Sequence, residues 1–207
     1  TGAEAIYVVA KSLVSEWFSP KAAELQLEDY KPGDKLIPFK VLDGTFKGSD
    51  LVGIRYHQLI PWFKPLEGDA FRVIPGDYVS TDEGTTGIVH IAPTFGADDK
   101  KVAAAAGIPP MMVLDKNGNP QPQVDHDGRF CLLEDLDPEY VATHVAPEYK
   151  EYAGRFVKNA FDDSLPKDAP TLDIDLCMMM KMDGRAFKIQ KHVHSYPHSW
   201  RTDKPVL

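Results

Sequence analysis

A histidine and an aspartate, His90 and Asp99, are the residues of this sequence whose types and spacing most suggest chemistry. Each is a titratable group set among apolar residues and turn formers. Functional sites concentrate such groups, because burial and nearby charges tune their protonation. The pair therefore marks a candidate site.

A strand and a helix joined by a sharp turn are expected to position these two side chains. The apolar run 88–92 predicts a strand in which His90 shares a face with its neighbours two positions away. Pro93 and Gly96 then break the chain before a helix over 97–106.

The predicted helix places one acid inwards and leaves another in water. Asp99 shares a face with Val102, Ala103 and Ala106, which follow at helical spacing. Asp98 lies on a different face. An inward acid in a first turn, close to an inward histidine, strengthens the candidate site.

Plainer interpretations of these residues stay open. Asp98 and Asp99 could cap the helix or complement its dipole, and His90 could be a hydrogen-bonded core residue. The sequence contains no Gly-x-Ser-x-Gly motif, no cysteine-protease signature around Cys131 or Cys177, and no phosphate-cradling glycine loop. The residues alone leave the function open.

The string from Gly87 to Asp99, GIVHIAPTFGADD, resembles the editing-site signature of isoleucyl-tRNA synthetases. In that class I family the signature lies in an inserted domain called connective peptide 1. Valyl and leucyl relatives carry a Pro-Ala-His-Asp pattern instead. Further matches follow in order over nearly the whole chain, which makes the set far more specific than one motif: YKPGDKL at 30–36, LIPW at 59–62, RVIPGDYV at 72–79, YAGRFV at 152–157 and HSYPHSWR at 194–201.

The resemblance implies hydrolysis of valine attached in error to tRNA(Ile). An ester is already activated, so a positioned water suffices when orientation and electrostatics favour its attack. The resemblance also implies that this domain holds no cofactor, since ATP and magnesium belong to the catalytic core of the parent enzyme. Two alternatives stay open: the equivalent domain of a valyl or leucyl enzyme, and a non-catalytic spacer that binds the tRNA end.

The resemblance also implies roles for individual residues. Asp99 would bind the α-ammonium of the mischarged amino acid, and His90 would line the pocket and orient the ester. Phe95 stands where several bacterial relatives carry another histidine, which favours an apolar wall. The Gly-Thr-Thr-Gly turn is one residue longer than the usual Gly-Thr-Gly. The expected site thus comprises Asp99 and His90 as catalytic residues and Thr85, Thr86, Ile88, Phe95 and Asp98 as substrate-binding residues.

A threonine-rich segment that contributes to the editing pocket of relatives precedes the matching region. We therefore expect this chain to be a fragment of a larger synthetase with an incomplete pocket, and we expect weak or absent deacylation by the fragment itself.

Composition predicts a soluble fold of short strands. The chain has 207 residues, 43% hydrophobic and 26% charged, with 17 prolines and 15 glycines, which favours strands and turns over a helical bundle. With the resemblance, this predicts a mainly β fold: a closed, barrel-like editing domain with peripheral helices. A single domain would cover residues 1–207, with a helical excursion at about 134–160.

The expected elements follow from local patterns. Hydrophobic periodicity, proline and glycine set their bounds. The strands are expected at 5–9, 37–41, 51–56, 71–74, 78–80, 88–92, 111–114, 172–176 and 187–193, and the helices at 9–17, 97–106, 137–145 and 147–160.

Charge and cysteine content shape the expected surroundings. Two cysteines are too few for a disulfide framework, which favours a reducing cytoplasm, and no apolar run is long enough to span a membrane. The formal charge of −8 predicts weak RNA binding by the domain alone. A local basic rim, with other domains, would bring in the tRNA 3′ end, and the fragment is expected to be monomeric.

The histidines of the tail have the spacing of metal ligands. His192, His194 and His198 could suggest zinc, but no cysteine or carboxylate completes a tetrahedral set nearby. Relatives carry a Cys-x-x-Cys half-site where this chain has residues 199–202. No metal site is therefore expected.

Overall fold

The computed structural model describes residues 4–82, 84–166, 168–191, 195–203 and 205–206. The chain divides into two compact units. The first comprises Thr1–Tyr56 and Phe71–Gly107, and the second comprises His57–Ala70 and Ile108–Leu207. The expectation of a single domain over 1–207 stays a prediction.

The first unit is built from short helical segments joined by turns. Helix α1 (Val14–Trp17) continues a 3-10 turn, and helix α2 (Ala97–Ala105) carries the candidate aspartates. Both helices were expected from the sequence, and α2 ends within one residue of its predicted bound. The 3-10 segments of this unit are Lys11–Leu13, Pro20–Glu24, Leu27–Asp29 and Gly48–Leu51.

A short chain pairing supports the end of α2. Arg55 and Arg72 form an antiparallel bridge between two runs that were expected to be strands. The guanidinium of Arg72 then donates to the carbonyl of Ala106 at 2.5 Å. Because the last carbonyls of a helix have no partner within it, a cation here both satisfies one of them and complements the helix dipole.

The second unit contains a β-hairpin and two further α-helices. Strands β1 (Val113–Leu114) and β2 (Pro120–Gln121) pair antiparallel, and β1 lies within the strand expected at 111–114. Helix α3 (Pro138–His144) begins where expected, because Asp137 accepts a hydrogen bond from the backbone N–H of Tyr140 at 2.7 Å. The remaining elements are helix α4 (Leu172–Met182) and the 3-10 segments Leu133–Asp135, Pro147–Glu151 and Asn159–Phe161.

Aromatic side chains form the core of the second unit. The Trp62 ring lies 4.2 Å from that of Tyr152, and the Phe63 ring lies 4.4 Å from that of Tyr149. Tyr149 is fully buried, and its hydroxyl donates to the carbonyl of Cys131 at 2.7 Å. The buried core cluster is Trp62, Phe63, Val113, Cys131, Leu136, Tyr140, Tyr149, Tyr152 and Leu172.

Two element predictions in this unit are wrong. The run 172–176 alternates like a strand but forms the start of α4, because Leu172, Leu176 and Met179 recur at helical spacing and pack on the core. The helix expected over 147–160 is a short 3-10 segment that ends at Glu151.

The other strand predictions fare unevenly. No hydrogen-bonded strand forms at residues 5–9, 37–41, 78–80, 88–92 or 187–191, and Val193 lies outside the described residues. A segment with alternating apolar residues forms a strand only when another segment pairs with it through backbone hydrogen bonds. Across the described ranges the assigned sheet is the β1–β2 hairpin, so the closed barrel stays a prediction.

None of the helices in the described part of the chain is both long enough and apolar enough to cross a membrane.

Candidate functional site

A cavity of about 360 Å³ lies in the first unit, beside the glycine–threonine turn. The turn 84–87 forms one wall, residues 78–80 and 88–90 form others, and Trp17 of α1 closes a further side. This volume is at the lower end for small-molecule sites. The cavity therefore has the size of a small-molecule site.

Hydrogen bonds within the turn fix both threonines. The hydroxyl of Thr85 donates to the carbonyl of Asp82 at 2.7 Å, and the hydroxyl of Thr86 donates to the carbonyl of Ile88 at 2.8 Å. A hydroxyl carries one donor and two acceptor lone pairs. Both threonine oxygens thus keep acceptor capacity while their protons stay engaged with the backbone.

The segment around α1 holds this turn from outside. The indole N–H of Trp17 donates to the carbonyl of Thr85 at 2.7 Å, and the backbone N–H of Ala10 donates to the carbonyl of Thr86 at 2.9 Å. Gly87 has φ +78°, and a Cβ there would lie 2.8 Å from the Cβ of Ala10. Glycine is therefore required at this position both by conformation and by space.

The Asp99 carboxylate is half-buried in the first turn of α2 and is held through both oxygens. Its Oδ2 accepts from the backbone N–H of Ala92 at 2.9 Å, and its Oδ1 accepts from the hydroxyl of Tyr78 at 3.2 Å. Tyr78 also lines the cavity. Asp99 itself is not among the residues that line the cavity, but its carboxylate is hydrogen-bonded to one of them.

The turn before α2 gives the carboxylate its room. The carbonyl of Ala92 accepts from the N–H groups of Phe95 at 3.1 Å and Gly96 at 3.0 Å, which folds the chain back on itself. A Cβ at Gly96 would lie 2.7 Å from Oδ2 of Asp99. The absence of a side chain at Gly96 therefore lets Asp99 reach back to Ala92.

The helix face predicted for Asp99 is confirmed, whereas its role stays a prediction. Val102 and Ala106 on the same helix face are half-buried, and Ala103 is fully buried. Asp98 is exposed, as its position on another face suggested.

His90 differs from its expected setting. It was expected to face inwards from a strand, but residues 88–92 form no strand and His90 is exposed. It nevertheless lines the cavity, and Ala92, which binds the Asp99 carboxylate, follows two residues later. An exposed imidazole on a cavity wall can donate a hydrogen bond to a ligand or accept one from it.

The other expected binding residues separate into two groups. Ile88 lines the cavity together with Thr85 and Thr86. Phe95 is 59% exposed, and neither it nor Asp98 is among the residues that line the cavity.

Sequence reasoning missed Tyr78 and Trp17. Both bind site residues more than 20 positions away, through bonds whose sequence separations are 21 for Tyr78 and 68 for Trp17. Burial raises the pKa of the Tyr78 hydroxyl above its ordinary value of 10, and the bond to Asp99 and the charge of Asp99 raise it further. Tyr78 therefore stays a hydrogen-bond donor at neutral pH.

The histidine tail gives no further site in the described residues. His192 and His194 lie outside them. The Nδ1 atom of His198 lies 3.7 Å from Oδ1 of Asp203, at the protein surface.

Comparison with known proteins assigns the family. The chain is 60% identical to the isoleucine–tRNA ligase of Bacteroides fragilis over 208 aligned positions, which cover 100% of this chain and 18% of that protein. It is 53% identical to the ligase of Porphyromonas gingivalis over 97% of this chain and 18% of that protein. The cytoplasmic isoleucine–tRNA ligase of Arabidopsis thaliana is 34% identical over 90% of this chain and 13% of that protein. No family model matches the sequence.

These relatives are aminoacyl-tRNA ligases, and they match this chain from end to end or nearly so. The chain belongs to the isoleucine–tRNA ligase family. It spans about a fifth of the length of curated relatives that it matches, 18% in the case of the Bacteroides fragilis ligase.

Proposed function

We propose that this chain is the proofreading domain of an isoleucine–tRNA ligase and that it hydrolyses valine esterified in error to tRNA(Ile). Its partners would be the 3′ end of that tRNA and the catalytic core of the parent enzyme. Family membership supports the setting. The observation that carries the activity is the Asp99 carboxylate, held at two oxygens beside the cavity.

Asp99 binds the α-ammonium of the misplaced amino acid. Hydrogen bonds between a carboxylate and a cation are roughly twice as strong as neutral ones. The bonds from Ala92 and Tyr78 prevent the carboxylate from turning when the ligand arrives. Holding the ammonium also fixes the ester carbonyl, because the two groups are separated by one carbon.

The cavity walls position the water and the ester. The oxygens of Thr85 and Thr86 accept a hydrogen bond from a water, since their own protons are committed to backbone carbonyls. His90, at the other end of the segment 84–90 that lines the cavity, hydrogen-bonds the ester. Fixed polar groups of this kind accelerate attack by orientation and electrostatics without a covalent intermediate.

Size provides the selection. One missing methylene is worth only about 1–3 kcal/mol in an apolar synthetic pocket, a range established with enzymes of this family among others. A second, smaller site that admits valine and rejects isoleucine removes the errors that remain. The cavity beside Asp99 is where we expect this selection to take place.

The test is the variant Asp99→Asn in a full-length isoleucine–tRNA ligase that carries this segment. We expect single-turnover hydrolysis of Val-tRNA(Ile) to slow by about 10- to 100-fold, since a hydrogen bond to a charged group contributes about 1.5–3 kcal/mol. The matched control is Asp98→Asn. Because Asp98 is exposed, its loss should slow hydrolysis by at most about fivefold.

The alternatives give different results in the same assay. Normal clearance of Val-tRNA(Ile) by Asp99→Asn would indicate a spacer or a domain that only binds the tRNA end. Faster hydrolysis of a threonyl ester than of a valyl ester by the unmodified enzyme would indicate the specificity of a valyl enzyme instead.

A further inference from the structure

Tyr78 is the side-chain partner of Asp99 and stands on the wall of the cavity. Its hydroxyl donates to Oδ1 at 3.2 Å, across 21 positions of sequence. Tyr78 lies within the RVIPGDYV match at 72–79, but the sequence assigned it no role in the site. Its contact nevertheless joins the cavity lining to the carboxylate on which the proposed chemistry depends.

The two hydrogen bonds on the carboxylate have different origins. The bond to Oδ2 comes from the backbone of Ala92, which is itself fixed by the turn before α2. The bond to Oδ1 comes from a side chain. A single bond would leave the carboxylate free to rotate about its last side-chain torsion, which is broad and roughly twofold. Two bonds on different oxygens restrict that rotation.

We propose that Tyr78 is a positioning residue for proofreading: its hydroxyl sets the rotation of the Asp99 carboxylate so that the remaining lone pairs meet the α-ammonium of the mischarged ester. This inference rests on the proposed function. It assigns Tyr78 no contact with the reacting atoms.

The exposure of Tyr78 argues against a role that is limited to packing. The residue is 43% exposed, so replacing it by phenylalanine removes one partly solvated oxygen and leaves the ring in place. Burial and the neighbouring Asp99 both raise the pKa of its hydroxyl. The hydroxyl therefore remains a donor throughout the pH range in which tRNA esters can be assayed.

The experiment compares Tyr78→Phe with the unmodified full-length ligase on two substrates. The first is Val-tRNA(Ile), and the second is N-acetylvalyl-tRNA(Ile), whose amine carries no charge. We expect the saturating single-turnover rate for Val-tRNA(Ile) to fall about tenfold, equivalent to about 1.4 kcal/mol, with a smaller change in KM. The rate for the acetylated ester should stay the same, because it has no ammonium for Asp99 to hold.

Two further variants complete the design. Tyr56→Phe is the matched control, since Tyr56 is a tyrosine of the same unit with a similar exposure of 51%; it should leave both rates unchanged. The double variant Tyr78→Phe with Asp99→Asn should be no slower than Asp99→Asn alone, because a residue that acts through Asp99 has no effect once the carboxylate is gone. Thermal unfolding of each variant checks that the fold is intact.

Each remaining outcome is decisive. If Tyr78→Phe behaves like the unmodified enzyme while Asp99→Asn is slow, the positioning role is refuted and the proposed function stands. If Tyr78→Phe slows both esters equally, or adds to Asp99→Asn, Tyr78 shapes the cavity in general and the inference is wrong. If Asp99→Asn itself is fast, the proposed function fails and the role of Tyr78 fails with it.

Discussion

The two units bury different kinds of side chain. In the second unit, the Trp62 ring lies 4.2 Å from that of Tyr152 and 5.8 Å from the fully buried ring of Tyr149. In the first unit, the buried residues among those described are smaller: Leu13, Ala22, Pro38 and Ala103. The second unit is thus organised by an aromatic core, and the first unit carries the candidate site with much less buried surface.

The candidate site is held mainly by hydrogen bonds to the backbone rather than by a large apolar core. Each such bond contributes only about 0.5–1.5 kcal/mol to stability, whereas removal of a buried large aromatic costs about 3–5 kcal/mol. The contrast teaches that the geometry of the site can be altered by substitutions that leave the chain folded. Substitutions in the second unit should act mainly on stability.

The largest effect is expected from Trp62→Ala in the 207-residue chain. Trp62 is only 8% exposed, and its ring contacts those of Phe130, Tyr149 and Tyr152. Loss of this ring should therefore lower the free energy of unfolding by about 3–5 kcal/mol. Urea unfolding followed by circular dichroism measures this. The control is Val41→Ala in the first unit, where 71% exposure limits the change to about 0.5 kcal/mol. Equal losses from the two variants would contradict the contrast between the units.

An intermediate effect is expected at alkaline pH. Burial raises the pKa of Tyr140 from 10.0 to about 12, and that of the fully buried Tyr149 is raised as well. A phenol whose pKa is higher in the folded state stabilises the fold fully below the unfolded pKa. This contribution is lost as the pH rises above 10 and through about 12. Urea midpoints measured from pH 8 to 12 should therefore fall above pH 10.

The variant Tyr140→Phe isolates this term from other groups that titrate in the same range. Its urea midpoint should fall less steeply above pH 10 than that of the unmodified chain. Parallel curves for the two proteins would show that ionisation of Tyr140 does not contribute.

The smallest effect on stability is expected from Gly96→Ala. This variant tests the geometry of the site instead. The new Cβ would lie 2.7 Å from Oδ2 of Asp99, so the flexible carboxylate must move away from Ala92. Loss of a glycine at this cap position should cost about 1 kcal/mol or less. Hydrolysis of Val-tRNA(Ile) by the full-length ligase should nevertheless slow about tenfold, since a bond to a charged group is lost.

Gly48→Ala is the matched control, because Gly48 begins a 3-10 segment of the same unit and has no atom within 4 Å of an added Cβ. It should leave both stability and hydrolysis unchanged. If Gly96→Ala hydrolyses Val-tRNA(Ile) at the normal rate, the bond between Ala92 and Asp99 has no part in the chemistry.

The sequence by itself determined the local features of this protein. Helix α3 starts at Pro138 because the side chain of Asp137 caps it, and α2 follows Gly96 because proline and glycine break the preceding run. The inward face of Asp99 followed from helical spacing in the same way. These features depend on residues within one or two turns of each other, so local chemistry specifies them.

The tertiary structure alone decided how distant segments meet. The run 172–176 became part of a helix rather than a strand because Leu176 and Met179 pack on an aromatic core drawn from residues far away in sequence. The contact between Tyr78 and Asp99 and the support of the turn by Trp17 likewise join separate segments. Local periodicity cannot specify such pairings, because they depend on which surfaces the rest of the chain brings within hydrogen-bonding distance.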